Sequence, residues 1–138
     1  MIEANRGRSP MFENLDVFRL ASAMARHAAA RQAVIAQNMA NSDTPGFKAR
    51  DIASFSAIID DGGAMDMRAT RPTHLNAREG SDAHFRTFVT DEGADPNGNT
   101  VSIEQEMLKA IEAKRSHGRA LAIYKSSLNI LRTAIGRG

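Results

Sequence analysis

The 138-residue chain is the length of one domain, and its 18 Lys and Arg against 16 Asp and Glu leave a net charge of only +2. The pI near 9.4 arises because, without Cys and with a single Tyr, almost nothing titrates between histidine and lysine; it is no signature of nucleic-acid binding. The absence of Cys excludes disulfides, thiolate metal sites and a thiol nucleophile, no apolar run approaches the ~18 residues of a membrane span, and Met1 to Pro10 lack the apolar stretch of a secretory signal.

The apolar fraction of 42% contains 23 Ala, whereas Leu, Ile, Val and Phe together number 27. That is about one fifth of the chain, near the level below which a chain cannot build a core of its own. The expectation is a weak monomer, stabilised by partners or by further copies of itself. Charge is also uneven: residues 1–50 carry +3, residues 51–100 carry −5 and residues 101–138 carry +4.

In chain order, residues 1–11 read as a flexible extension, with Met11 a second possible start. Residues 12–41 lack Gly and Pro and are rich in Ala, which predicts a helix. Leu15, Phe18, Ser22, Ala25, Ala29, Gln32, Ala36 and Met39 follow a 3–4 spacing and predict its buried face. Many of them are small, which permits close approach of another helix while burying little area. The helix is expected to stop before Thr44-Pro45-Gly46, since Pro disfavours the α region in the preceding residue.

Residues 42–101 form an extended, sparsely packed middle, with Ser54 to Ile59 and His84 to Thr90 as strand candidates and Asp60-Asp61-Gly62-Gly63 and Asp91 to Asn99 as loops. Residues 102–136 predict a second helix about 50 Å long. Ser102 and Gln105 suggest a capping box, and Glu104 and Glu106 suit its N-terminus as Lys125, Arg132 and Arg137 suit its C-terminus. Ile103, Met107, Ala110, Lys114, His117, Leu121, Tyr124, Leu128, Leu131 and Ile135 alternate steps of four and three, a heptad seam that needs a partner helix. The fold expected is mainly α: long N- and C-terminal helices paired as in a coiled coil, around a partly β or disordered middle. Leu121, Tyr124, Leu128, Leu131 and Ile135, with Met107 earlier on the same seam, are expected to face Leu15, Phe18, Met24, Ile35 and Met39, while Asn38, Asn41, Thr44, Pro45, Gly46 and Phe47 shape the exit from the first helix.

Other chemistry finds little support. Asp95, Asn97, Asn99 and Glu106 match positions 1, 3, 5 and 12 of a calcium loop, but Thr100 stands where the sharp turn needs Gly and no helix leads in. His27, His74, His84 and His117 lack metal-ligand spacing. No nucleophile elbow or Gly-rich phosphate loop is present. Arg19, Arg26 and Arg31 make only a loose stripe, which suits a solvated helix better than phosphate contacts. The expectation is therefore no enzyme, no cofactor, no metal, no nucleic acid and no small-molecule substrate; the competing reading is a small helical binding or regulatory module.

The segment Asn38-Met39-Ala40-Asn41-Ser42-Asp43-Thr44-Pro45-Gly46-Phe47-Lys48-Ala49-Arg50-Asp51 resembles the sequence that ends the first helix in flagellar basal-body rod proteins, most closely the short proximal-rod members. Thr70-Arg71-Pro72-Thr73-His74-Leu75 is similar to a mid-chain piece of that family. Asn97-Gly98-Asn99-Thr100-Val101 followed by Glu104, Glu106, Met107, Tyr124, Leu128, Leu131 and Ile135 is similar to its C-terminal helix. The resemblance departs from the family at Lys114, Ser116, His117 and Gly118, where bulkier residues are usual. It implies a structural, self-assembling motility protein of the bacterial flagellum. Such a chain is exported from the cytoplasm by the flagellar type III apparatus without a cleaved signal peptide. It then assembles with copies of itself and other rod proteins, and meets the export gate and the inner-membrane ring base, in the periplasmic rod.

Overall fold

The computed structural model describes residues 10–60, 85–90 and 93–136. Helix α1 spans Pro10–Ala40, strand β1 Arg50–Ile52, helix α2 Phe55–Asp60, strand β2 Thr87–Val89 and helix α3 Ile103–Ile135. The N-terminal extension over residues 1–9, the linker after Asp60, the Thr70–Leu75 piece, His74, His84, Asp91 and Arg137 lie outside the described residues. No helix of the described residues is long and apolar enough to cross a membrane.

The 31 residues of α1 and the 33 of α3 pack side by side along most of their length. They run antiparallel: Phe18 near the start of α1 stacks on Tyr124 near the end of α3 with ring centroids 4.1 Å apart, whereas Asn38 at the end of α1 reaches Glu106 at the start of α3. The fold is mainly helical, as the Ala-rich and heptad-spaced segments predict.

The period of the seam is the expected one, but its phase is shifted by one residue. On α3 the buried positions are Glu106, Ala113, Ala120 and Ser127, seven residues apart. Ala110, His117, Tyr124 and Leu131 are half-buried between them, so that column of the expected seam is in place. The other column, Met107, Lys114, Leu121 and Leu128, has rotated out: Met107 is 55% and Leu121 42% exposed, Lys114 is exposed and Leu128 half-buried. Ile103 and Ile135, also placed in the seam by their spacing, are exposed as well.

On α1 the same correction applies. Ala21, Ala28, Ile35 and Asn38 are buried where Ser22, Ala29, Ala36 and Met39 were expected, while Phe18 and Ala25 are half-buried in the contact. Gln32 and Leu15 are exposed. Alanine on both sides lets the backbones approach closely, and a Leu in its place would hold them apart.

A second side of α1 carries the middle segment. His27 is 4% exposed, and its Nε2–H donates to the Ala53 carbonyl at 2.7 Å. Its ring meets Phe85 edge-on at 5.0 Å and Phe55 at 5.5 Å. One histidine thus ties α1 to the segments leading into α2 and β2. Strands β1 and β2 form an antiparallel ribbon that pairs Arg50 with Val89, Asp51 with Phe88 and Ile52 with Thr87. Val89 and Thr87 lie inside the His84 to Thr90 candidate. Ser54 to Ile59, by contrast, is not a strand: α2 covers Phe55–Asp60, with the Ser54 hydroxyl accepting from the Ala57 N–H at its start. Ser before a short apolar run acts here as a helix cap. Ser102 stands at the N-cap position of α3, but its side chain makes no capping bond, so the expected capping box does not form through that hydroxyl.

Candidate assembly interface

Helix α1 ends at Ala40 and α3 begins at Ile103, 63 positions later, yet the exit of one and the entry of the other close on each other as a single polar clasp. Its geometry begins with the turn. Asn41 continues the last helical bonds, its side-chain Nδ2 donating to the Gln37 carbonyl at 2.8 Å, and the Thr44 hydroxyl donates to the Asn41 Oδ1 at 3.2 Å. Thr44 N–H donates to the Asn41 carbonyl and Phe47 N–H to the Thr44 carbonyl, which closes the turn over Pro45 and Gly46. Gly46 adopts φ +74°, a left-handed conformation that L side chains rarely take.

The segment Asp95 to Val101 then docks on that turn. Gly46 N–H donates to the Asn97 carbonyl at 3.0 Å, Thr100 N–H donates to the Phe47 carbonyl at 3.0 Å, and Ala49 N–H donates to the Thr100 hydroxyl at 2.8 Å. Asn99 is 1% exposed. Its Nδ2 donates to both the Asn41 and Thr44 carbonyls at 2.8 Å, and its Oδ1 accepts from Val101 N–H. Asn99 thereby gives each of two turn carbonyls just beyond α1 a second donor, supplied from a distant part of the chain. Gly98, at φ +81°, lies against Gly46; a Cβ there would sit 3.4 Å from the Gly46 Cα. With Asn99 and Glu106 committed inward in this way, the calcium-loop pattern is an accident of spacing.

Asn38 is the hub. Its Nδ2 donates to the Arg50 carbonyl at 2.7 Å and to Glu106 Oε2 at 3.1 Å, and its Oδ1 accepts from Arg50 N–H at 3.1 Å. The amide thus occupies the edge of β1 as a neighbouring strand would, while holding the fully buried Glu106 carboxylate. Lys109 Nζ bonds the other Glu106 oxygen at 3.2 Å and stands 3.9 Å from Asp51. Arg31 grips Asp51 with two donors at 3.0 and 3.1 Å, and its remaining nitrogen lies 3.5 Å from the exposed Glu112. Burial pushes the Asp51 carboxyl up. The hydrogen bonds from Arg31 and from Ile52 N–H, with the charges of Arg31 and Lys109, outweigh that and hold it below its usual 3.8. Among the described residues, no buried side-chain nitrogen or oxygen lacks a hydrogen-bond partner.

The residues singled out from the sequence fall into three sets. Asn38, Asn41, Thr44, Gly46 and Phe47 lie in the clasp, with Pro45 exposed at its turn. Phe18, Ile35, Tyr124 and Leu131 lie in or beside the helix seam, with Met24 half-buried. Leu15, Met39, Met107, Leu121 and Ile135 do not lie between the helices; together with half-buried Leu128 they remain open on the surface. Sequence reasoning missed the partners of the clasp: Arg31, Asp51, Asn99, Thr100 and Lys109, and the buried role of Glu106. Each stands in or near a segment whose family resemblance is visible, but nothing in the spacing says that the two segments touch.

The comparisons with known proteins fall on these same parts. A family model described as "Flagella basal body rod protein" matches residues 20–48, which are the latter part of α1 and the turn of the clasp. A protein of Agrobacterium fabrum, "Flagellar basal body rod protein FlgB", is 34% identical over 116 residues, 81% of this chain and 87% of the relative. Proteins of the same description from Aeromonas hydrophila and Bacillus subtilis are 30% and 24% identical, over 112 and 109 residues, and are covered to 81% and 84% of their lengths. The chain that closes its two long helices with this clasp belongs to the flagellar basal-body rod proteins, in their FlgB branch.

Proposed function

We propose that this chain is a structural subunit of the flagellar basal-body rod, acting by assembly rather than by catalysis. The observation that carries the reading is the mismatch between its helices and its burial. Two helices of 31 and 33 residues are joined through alanine, while Met107, Leu108, Ile111, Leu121, Ile130 and Ile135 stay 42 to 77% exposed on α3. A monomer that leaves so much large apolar surface in water gains its remaining stability by association. The two long helices suit a dense layer of an axial tube, and the polar clasp holds them at one end before neighbours arrive.

In this reading the neighbours are further copies and other rod proteins, with the export gate and the inner-membrane ring base at the proximal end. The chain leaves the cytoplasm without a cleaved signal, stands in the periplasmic rod, and transmits torque through helix contacts. A fold held by little buried area suits passage through a narrow channel as an unfolded chain.

The test is mass spectrometry of detergent-extracted basal bodies from the native cells, paired with deletion of the gene. Enrichment of the chain with rod and ring proteins, and loss of motility restored by the intact gene, are the expected results. A chain that stays in the soluble fraction while other rod proteins are recovered overturns the reading, and a helical binding module then takes its place.

A further inference from the structure

The cations of the helix pair are sorted by side. Arg31 and Lys109, on the side of the ribbon, are held by Asp51 and Glu106. On the opposite side, Lys114, Lys125 and Arg132 of α3 are exposed and make no ion pair among the described residues. Lys114 stands within the seven-residue column Met107, Leu121, Leu128 and Ile135, next to the seam on that side, and at 100° per residue Lys125 and Arg132 border it. Across the seam, the same side of α1 presents Ala29 and Ala36, both exposed, with Leu15 and Met39 at its two ends. From Met107 to Ile135 this open side of the pair carries no carboxylate on either helix, judged by helical position.

We infer that this trough docks an α-helix of a neighbouring subunit whose apolar stripe is flanked by Glu and Asp. Three observations select that occupant. The column is bulky and apolar at four of its five heptad positions and faces small residues of α1, Ser22, Ala29 and Ala36, a knob-and-hole arrangement that receives a helix. The rim is cationic without ion-pair partners among the described residues, so an acidic flank on a docked helix gains ion pairs that these residues do not make among themselves. A second copy applied face to face by a two-fold axis is disfavoured, because it sets Lys114, Lys125 and Arg132 against themselves. A flat anionic bilayer has no use for the heptad register. The inference rests on the rod reading for the source of that helix, and adds to it the chemistry of the partner and the face that receives it.

The experiment uses the full chain and a fluorescent synthetic peptide of about 28 residues, Leu at the core heptad positions and Glu at the flanking ones. Expected is saturable binding that weakens as NaCl rises from about 50 to about 300 mM. Lys114→Glu with Lys125→Glu and Arg132→Glu should lower affinity at least about tenfold, and Arg115→Glu with Arg119→Glu, on other sides of α3, less than about twofold. Leu121→Ser, which removes apolar area without adding charge, should weaken binding about tenfold while leaving the salt slope near that of the parent. Equal binding of a peptide with Lys in place of Glu, equal loss with the Arg115 and Arg119 pair, or binding to phosphatidylglycerol vesicles in place of the peptide overturns the inference. The same triple variant is then expressed in cells. If it enters basal bodies normally, the docking face is wrong and the rod reading stands; if the parent chain itself is absent from basal bodies, it is the rod reading that fails.

Discussion

Replacing Asn38 by Ala removes a side chain at the end of α1 that bonds both β1 and α3. Three hydrogen bonds go: two to the backbone of Arg50 and one to the buried Glu106 carboxylate. The bonds to Arg50 are partly buried, so water can replace them, and each loss costs about 0.5–1 kcal/mol. The Glu106 oxygen is fully enclosed, and a lost bond to a buried charged group costs about 1.5–3 kcal/mol. The sum is about 2.5–5 kcal/mol, which for a domain of this size lowers Tm by roughly 10–15 °C. Urea unfolding followed by helical circular dichroism measures it, with Gln37→Ala, an exposed neighbour on the same turn, as the control expected within about 0.5 kcal/mol of the parent. Asn38→Asp sharpens the test: it sets a second carboxylate about 3 Å from Glu106, so it should be worse than Ala at neutral pH and recover in mild acid. If Asn38→Ala unfolds within about 0.5 kcal/mol of the parent, the clasp is not what joins the helices, and the argument from buried polar satisfaction fails.

The other predictions follow from the same structure. Ala120→Leu should overpack the seam, cost about 1–3 kcal/mol in the isolated chain and lower its helix content, whereas Leu121→Ala, one residue away but 42% exposed, should cost under about 1 kcal/mol there and show its effect in rod assembly and motility. Leu128→Ala should cost about 2–5 kcal/mol when the subunit is assembled and less in the isolated chain, where Leu128 is half-buried. Gly98→Ala and Gly46→Ala should each destabilise by about 1–2 kcal/mol through their positive φ, since an added Cβ meets nothing closer than an ordinary 3.4 Å contact at either; denaturant midpoints measure both. Because the folded Asp51 carboxyl is held below its unfolded value, its contribution is present above about pH 4 and is lost as pH falls through the folded value. Asp51→Asn should therefore lower stability at pH 7 and flatten its decline in acid, as seen in thermal melts between about pH 2.5 and 7; an unchanged acid limb refutes that role for the Arg31–Asp51 pair.

Local chemistry made much of this protein legible. Helix formers without Gly or Pro across the Ala-rich segment, the stop at Thr44-Pro45-Gly46 and the steps of four and three after Ser102 place α1 and α3 within a residue or two, because propensity, turn chemistry and helical period act over a few residues. The Asn38 to Asp51 motif carried the family for the same reason: its residues build a turn whose geometry is largely their own. What tertiary structure alone decided is the phase of the seam and the closure of the clasp. Ala and Leu both count as apolar in a periodic pattern, and the strip with the larger side chains is the natural choice for the inside. Packing of two backbones favours the smaller strip, Ala21 and Ala28 against Ala113 and Ala120, and turns Leu121 and Met107 outward. His27, a stray histidine in sequence, becomes the peg that holds the middle of the chain. Asn99 donates to the carbonyls of Asn41 and Thr44 from more than 50 residues away. Such contacts have no period and no local propensity, so only the folded chain, where every buried donor and acceptor must find a partner, brings them together.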